Sequence, residues 1–147
     1  MRKILFRGKR IDNGEWVEGF YVCLFEKEKG FYKPNHYIFD GNIKLGEERY
    51  VGHGNCVQEV TICKRKIDEK TVGQFTGMLD KNGRNIFEGD IISDNIGEHF
   101  IVEFRDGCFM FACNDGGEIY YDIMLPISKN EQTIYKYGEI IGNIHDN

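Results

Sequence analysis

The sequence predicts a mainly β protein, because hairpin-turn dipeptides and short aromatic-rich runs alternate along it. Gly occurs 18 times and Pro only 2 times, and 14% of the 147 residues are aromatic, placed among Ile and Val in short runs. These features are typical of β-rich domains with many tight turns. Five dipeptides are of the type that tolerates positive φ in such turns: Asn13-Gly14, Asp40-Gly41, Asn82-Gly83, Asp106-Gly107 and Asp115-Gly116.

Ten short runs of alternating or apolar residues are predicted to be strands. They cover residues 3–7, 15–25, 36–39, 57–63, 72–78, 90–93, 99–105, 107–113, 118–124 and 138–145. Inside the second run, Gly19 predicts a bulge or the close approach of another backbone. The polar residues 26–35 are expected to form a loop. Residues 124–135 are expected to hold one short helix, with Ser128 as N-cap and Glu131 at the capping-box position.

The clearest hairpin surrounds the Asp106-Gly107 turn. Alternation places Phe100 and Phe104 on one face of the preceding strand, and Phe109 and Phe111 on one face of the following strand. If these faces coincide, aromatic pairs across the two strands fix their register.

The length predicts a single domain, residues 1–147, with a soft internal boundary near the charged run 64–70. No apolar run approaches the ~18 residues of a membrane-spanning helix. The first ten residues alternate charged and apolar side chains and do not resemble a signal peptide. Five cysteines, an odd number without CxxC spacing, are expected to be free thiols. We therefore expect a cytoplasmic protein.

The charge is distributed unevenly along the chain. The net charge is −5, yet residues 1–10 contain no acid and five basic residues: Arg2, Lys3, Arg7, Lys9 and Arg10. An acidic body repels nucleic acid in general, whereas a basic arm contacts phosphates locally. The alternative interpretation is a solvated strand face paired with acids elsewhere in the fold.

A calcium loop is the first chemical hypothesis that the sequence excludes. Asp80, Asn82 and Arg84, followed by Glu88 and Asp90, have the spacing of an acidic loop. An EF-hand needs an oxygen ligand at its fifth position and Gly at its sixth, but here Arg84 is fifth and Gly is fourth. The segment is better interpreted as a tight turn followed by a second sharp bend.

Zinc is the second such hypothesis. Cys56 and Cys63 with His53, or Cys108 with Cys113, offer soft ligands, but neither set has the spacing of a zinc site. Cys108 and Cys113 are five residues apart in a predicted strand, so they are expected on opposite faces. No nucleophile elbow, phosphate-binding glycine loop or H-E-x-x-H motif is present. We expect no metal, no cofactor and no enzymatic activity.

Three segments resemble the YopX family of small phage and prophage proteins. Residues 2–7 resemble its opening strand, residues 74–92 its central signature and residues 139–147 its closing strand. Residues 8–12 depart from the family's usual small residue followed by Trp-Asp, and residues 23–70 carry no recognisable family motif. The signature positions, interpreted as structural, are Gln74, Thr76, Gly77, Asp80, Asn82, Gly83, Glu88, Gly89, Asp90, Gly142 and Asn143.

The resemblance implies a barrel-like fold and a phage or prophage origin, and it supplies no catalytic residues. We expect the C-terminal part, residues 71–147, to be SH3-like or a pseudo-barrel. The expected role is a non-enzymatic accessory protein that acts by protein–protein interaction or self-association. Sheet edges pair readily, and four tyrosines are interface-type residues: Tyr120, Tyr121, Tyr135 and Tyr137. The alternative is a nucleic-acid-binding barrel that uses the basic N-terminal strand with Phe6 and Trp16.

Overall fold

A computed structural model describes residues 4–52, 55–124 and 138–146, and most of these residues are in strands. Eleven strands lie in the described ranges, and the strand pairs described in this section are all antiparallel. They are β1 (Phe6–Lys9), β2 (Trp16–Glu28), β3 (Phe31–Gly52), β4 (Asn55–Lys66), β5 (Gly73–Leu79), β6 (Asn85–Phe87), β7 (Asp90–Ser93), β8 (His99–Arg105), β9 (Cys108–Asp115), β10 (Glu118–Ile123) and β11 (Glu139–Asn143). The predicted mainly β fold is confirmed.

Each of the ten predicted strands corresponds to a strand of the structure, with ends shifted by several residues in places, and β6 is the strand that the sequence did not predict. Two compact units are present: one spans Leu5–Val72 and the other begins at Gly73. The predicted helix over 124–135 lies, apart from Met124, outside the described residues. Within the described ranges, no helix is long and apolar enough to cross a membrane.

The N-terminal unit is a meander in the order β4-β3-β2-β1. The prediction of a loop over residues 26–35 is wrong, because β2 continues to Glu28 and β3 begins at Phe31. Only the Lys29-Gly30 pair turns the chain, with φ of 47° and 91°. The polar residues belong to a ribbon stabilised across its strands, since Glu26 accepts hydrogen bonds from Tyr37 at 2.5 Å and from Lys64 at 2.8 Å.

β3 is far longer than the predicted run 36–39, and the predicted turn at Asp40-Gly41 lies inside it. Gly41 does have positive φ, 81°, but the chain does not reverse there. The register between β3 and β4 shifts between Phe39 and Ile43 instead, so the dipeptide forms an irregularity within the strand. A glycine with positive φ can form a β-bulge, at which a strand bends and then continues.

Gly19 confirms the predicted close approach of two backbones. A Cβ at this position would lie 2.0 Å from the carbonyl oxygen of Phe39. The buried side chains of this unit include Ile38 and Ile67. The charged run 64–70 ends in a 3-10 turn, Glu69–Thr71, which Asp68 caps by accepting from Lys70 N. The unit ends at Val72, close to the predicted boundary, and the single-domain assignment stays a prediction.

The C-terminal unit contains the β5–β6 hairpin and a five-stranded sheet in the order β10-β9-β8-β7-β11. Its buried core comprises Ile86, Ile92, Val102, Phe109, Phe111 and Met124. The predicted aromatic register is confirmed: Phe104 pairs with Phe109 across the Asp106-Gly107 turn, with ring centroids 5.1 Å apart. In the described residues this sheet is open, with β10 and β11 at its two ends, and the SH3-like topology stays a prediction.

Candidate interaction surface

Strand β10 forms one edge of the C-terminal sheet, and all six of its residues are exposed. It pairs with β9 in an unbroken register from Glu118 to Ile123. The apolar and aromatic side chains have the following exposed fractions: Ile119 57%, Tyr120 54%, Tyr121 37% and Ile123 48%. An edge strand presents unpaired N–H and C=O groups to any strand that approaches it. We define Ile119, Tyr120, Tyr121 and Ile123 as the edge surface.

Side chains alternate along β10, so the edge surface has two faces. Ile119, Tyr121 and Ile123 share one face. Tyr120 lies on the other, where its hydroxyl donates to Glu118 at 2.8 Å. That hydrogen bond raises the pKa of the Tyr120 phenol. One face of the edge therefore carries two isoleucines and the ring of Tyr121, and the other carries the hydrogen-bonded pair Tyr120 and Glu118.

The opposite edge of the same sheet is different. Strand β11 pairs with β7, and its register shifts between Ile140 and Gly142. The shift leaves Ile141 as an extra residue whose side chain is 51% exposed. Bulges of this kind protect edges, because they interrupt the row of groups that a second strand needs. The contrast makes β10 the edge of this sheet better suited to pairing.

A cleft of about 480 Å³ lies beside β10 on the same sheet. Its lining includes His99 and Phe100 from β8, Cys113 from β9, and Tyr120 and Tyr121 from β10. Among the described residues, no group of three His, Cys, Asp or Glu side chains is arranged to hold a metal ion. The cleft therefore offers aromatic contact surface and a few polar groups next to the edge.

The cysteines considered as zinc ligands are not brought together in the described structure. Cys108 and Cys113 both lie in β9, five residues apart, so strand alternation directs them to opposite faces as predicted. Cys63 is a free thiol in β4. His53 and the side chain of Cys56 lie outside the described residues.

The basic N-terminal residues divide into two groups. The Arg7 guanidinium lies 4.4 Å and the Lys9 ammonium 5.3 Å from the centre of the Trp16 ring, so these three side chains form one basic–aromatic surface. Phe6 lies on the other face of β1, against Tyr21 at 5.4 Å between ring centroids. Arg2 and Lys3 lie outside the described residues.

Arg10 is paired with acidic side chains that are close to it in sequence. Its guanidinium donates to both carboxylate oxygens of Asp12 and lies 3.6 Å from Glu15. The hydrogen bond between Arg10 and Asp12 raises the pKa of the arginine and lowers that of the aspartate. The acids that pair with Arg10 are thus neighbours in sequence, and the interpretation of the basic run as a solvated strand face stays a prediction.

Asp80 of the signature is a buried hydrogen-bond acceptor. Its Oδ1 accepts from the backbone N–H groups of Asn82 at 2.8 Å and Arg84 at 2.9 Å, which closes the turn at Gly83. Its Oδ2 accepts from Arg84 Nε at 2.8 Å and from the backbone N–H of Ile140 at 3.2 Å. Burial alone would raise the pKa of this carboxyl, but these hydrogen bonds outweigh it and hold the pKa low.

Asp90 and Asn143 are buried partners at the second bend. Asp90 accepts from the backbone N–H of Phe87 at 2.8 Å and from Asn143 Nδ2 at 3.1 Å. Asn143 also accepts from the backbone N–H of His145 at 3.0 Å. Gly89 has a φ of 82°, and a Cβ there would lie 3.1 Å from Asn143 Nδ2. The two signature segments thus meet in one structural contact.

The remaining signature positions organise the β5–β6 hairpin. Thr76 Oγ1 donates to the Ile86 carbonyl at 2.9 Å, and Gly77 has a φ of 89° where the register with β6 shifts. The Gln74 carbonyl accepts from Glu88 N at 3.0 Å. Gly142 lies at the register shift of β11. The interpretation of the signature as structural stays a prediction.

A family model for the YopX protein matches residues 5–147, which is nearly the whole chain. The chain belongs to the YopX family. The match includes both compact units and the whole signature, whereas Arg2 and Lys3 precede it. No curated protein matches the chain. A solved structure that resembles this YopX protein is the crystal structure of protein EF1440 from Enterococcus faecalis, at 21% identity and a TM-score of 0.52, covering 99% of this chain and 95% of that one. At that identity the likeness is one of fold.

Sequence reasoning identified only half of the edge surface of this YopX protein. Tyr120 and Tyr121 are an unusual pair and were predicted to be interface residues, but Ile119 and Ile123 look like ordinary core positions of a strand. The signal that identifies them is the order of the strands, which places β10 at the end of the sheet. Strand order depends on contacts distant in sequence, so no local pattern reveals it.

Proposed function

We propose that this YopX protein is a non-enzymatic binding protein that acts by protein–protein interaction or self-association through the edge surface of β10. The observation that carries the proposal is an exposed edge strand with unbroken register and three apolar side chains on one face. Natural proteins usually protect such an edge with bulges, basic side chains or covering segments. β10 contains neither a bulge nor a basic residue.

The proposal predicts association that depends on the edge surface. Sedimentation velocity over a ~100-fold range of protein concentration measures self-association, and Ile119→Lys places a charge on the apolar face of β10. Ile141→Lys is the matched control, because Ile141 is similarly exposed on the opposite, bulged edge. We expect Ile119→Lys to weaken association at least tenfold and Ile141→Lys to leave it unchanged. Equal behaviour of both variants and the wild type would remove β10 from the proposal.

We propose a phage or prophage accessory role in the cytoplasm of a bacterial host. The proposal has two supports: membership of the YopX family, whose central signature residues 74–92 resemble, and the free state of the cysteines. Cys23, Cys63, Cys108 and Cys113 are free, as expected of a protein in a reducing compartment. Expression in the host with a compartment-specific thiol label tests this location: labelling only after permeabilisation is the expected result.

Nucleic-acid binding through Arg7, Lys9 and Trp16 is the second candidate. Its specific support is the stacking of both cations on one indole ring, a combination that contacts phosphates and bases together. Fluorescence anisotropy of labelled single-stranded DNA, duplex DNA and RNA tests it at low and near-physiological salt. Binding that weakens steeply with salt and is lost in Arg7→Glu would favour this candidate. Arg10→Glu is the matched control, since it makes the same charge change at a neighbouring arginine whose guanidinium is bound to Asp12 and Glu15.

A further inference from the structure

We infer that the edge surface binds a second copy of this chain, with β10 antiparallel to β10 and a two-fold axis at Tyr121. This inference rests on the proposed function and specifies the partner and the register. It is derived from the direction of the backbone groups, the symmetry of a paired edge and the positions of two acidic residues.

One hydrogen bond shows which residues of β10 direct their backbone N–H and C=O groups towards β9 and which direct them away from it. The N–H of Met124, directly after β10, donates to the Phe109 carbonyl of β9 at 3.0 Å. In an antiparallel ladder, successive residues of a strand direct their backbone groups alternately to one neighbour and the other. Residues 118, 120 and 122 therefore bond towards β9. Ile119, Tyr121 and Ile123 direct their N–H and C=O groups away from β9, to the side of β10 on which the described residues form no strand.

Symmetry restricts how two copies of β10 pair. Two antiparallel strands of one continuous sheet are related by a two-fold axis perpendicular to that sheet, and such an axis keeps every side chain on its own face. Residues on the same face are separated by an even number of positions. The axis must therefore pass beside a residue. Tyr120 and Tyr121 are the two central choices in the strand.

An axis at Tyr120 is unfavourable. It would place Glu118 of each copy opposite Asp122 of the other, and like charges directly opposite each other destabilise a sheet. It would also pair Ile119 with Tyr121 of the second copy and leave the outward groups of Ile123 beside the turn at Gly117.

An axis at Tyr121 avoids both problems. Tyr121 pairs with Tyr121 of the second copy, and Ile119 pairs with Ile123 of the second copy. Every outward N–H and C=O of these three residues then has a partner. Asp122 lies opposite Tyr120 of the second copy, so a carboxylate meets a phenol instead of another carboxylate.

The side chains also favour this register. Ile119, Tyr121 and Ile123 share one face, so the two copies form a continuous apolar band across the new strand pair. The band extends into each sheet, because Tyr121 pairs with the buried Ala112 and Ile123 with Met110. The Arg105 guanidinium lies 4.4 Å from the centre of the Tyr121 ring, which holds that ring over the sheet. The side chains of Ile119, Tyr121 and Ile123 thus become cross-strand neighbours of the same three residues in the second copy.

Amide hydrogen exchange of the full chain, measured by NMR at low and high protein concentration, tests the pairing without a mutation. The expected result is protection that rises with concentration at Ile119, Tyr121 and Ile123, while Tyr120 and Asp122 stay protected throughout by β9. Protection at Ile119 and Tyr121 without Ile123 would assign the axis to Tyr120. Dimers whose β10 amides show no concentration dependence would overturn the inference and leave self-association through another surface.

Disulfide trapping tests the register directly. Tyr121→Cys is expected to form a 121–121 disulfide between copies, because directly paired Cα atoms lie within the ~4.4–6.8 Å that a disulfide spans. Tyr120→Cys is the matched control, since its two copies lie on a diagonal of ~7–8 Å. Peptide mapping separates the new bond from the native thiols, and circular dichroism confirms folding. Trapping of Tyr120→Cys alone would refute the register, because it would place the 120–120 pair, and not the 121–121 pair, at the axis.

Glu118→Lys provides a test that does not depend on a disulfide. With the axis at Tyr121, Glu118 lies opposite Met124 of the second copy, and we expect the dimer dissociation constant to change less than about twofold. With the axis at Tyr120, the same variant would replace two repulsions by two attractions and tighten the dimer several-fold. A protein that is monomeric at all concentrations but binds another protein through β10 would overturn this inference and retain the proposed function.

Discussion

Replacing Asp80 by Ala is expected to destabilise the C-terminal unit by about 3 kcal/mol. The side chain is buried and accepts from the turn and from β11 at once. Leaving the Ile140 N–H unpaired costs about 1–3 kcal/mol, and losing the cap on the turn costs about 1 kcal/mol. Arg84 is half exposed, so the ion pair itself adds only about 0–1 kcal/mol.

Urea unfolding followed by fluorescence measures this loss. With a denaturant slope of roughly 2 kcal/mol per molar urea, the midpoint for Asp80→Ala should fall by about 1.5 M. Arg84→Met is the control, because it leaves the carboxylate and its backbone donors in place and removes the cation together with its hydrogen bond to the Ile140 carbonyl; its loss should stay below that of Asp80→Ala. The reasoning is refuted if Asp80→Ala costs no more than Arg84→Met.

The same residue makes a pH-dependent contribution with a definite sign. Hydrogen bonds hold the pKa of Asp80 low in the folded protein despite its burial. A carboxyl with a depressed pKa stabilises the fold above its unfolded pKa of about 3.9, and this stabilisation is lost as the pH falls towards the folded pKa. Asp80→Asn should therefore be less stable than the wild type at pH 7, and the difference should shrink in acid.

Two further predictions concern Gly19 and Glu88. Gly19→Ala should lower the free energy of unfolding, measured with urea, by more than about 2 kcal/mol, because the new Cβ would overlap the Phe39 carbonyl. Gly142→Ala is the control, because the heavy atom nearest to its new Cβ would be 3.8 Å away. Equal stability of the two variants would contradict the prediction. Burial raises the pKa of Glu88, so its negative charge destabilises the fold above the folded pKa and has no such effect below the unfolded pKa of about 4.3. Glu88→Gln should therefore be more stable than the wild type at pH 7 but not at pH 3. An equal gain in stability at both pH values would contradict this prediction.

The parts of the fold that could be predicted are those fixed by neighbours in sequence. The hairpin at Asp106-Gly107 has its turn residues and its aromatic pairs within a few positions of each other, and the structure confirms both. The strands within residues 26–35 were not predicted for a physical reason: residues 27–34 are exposed, so the segment lacks the apolar alternation that identifies a strand. Its Glu26 is stabilised instead by Lys64, which is 38 residues away.

The candidate site depends even more on distant contacts. The sequence shows that β10 is a strand with two tyrosines, but not that it ends the sheet. That position results from β11 pairing with β7 at the other side, across the intervening strands. The structural role of Asp80 likewise depends on Ile140, 60 residues away. The turn sequence alone identified Asp80 as part of a turn. The hydrogen bond that Asp80 accepts from the backbone N–H of Ile140 is visible only in the folded structure.

The contacts of β11 have a consequence for synthesis on the ribosome, where chains emerge from the N-terminus. Ile140 completes the hydrogen bonds of Asp80, Asn143 completes those of Asp90, and Ile144 N donates to the Gly89 carbonyl at 2.9 Å. Until residues 139–146 emerge, Asp80 and Asp90 lack these donors and β7 lacks its outer neighbour. The C-terminal unit therefore completes its folding late in translation, whereas every strand of the N-terminal unit has been synthesised by Lys66.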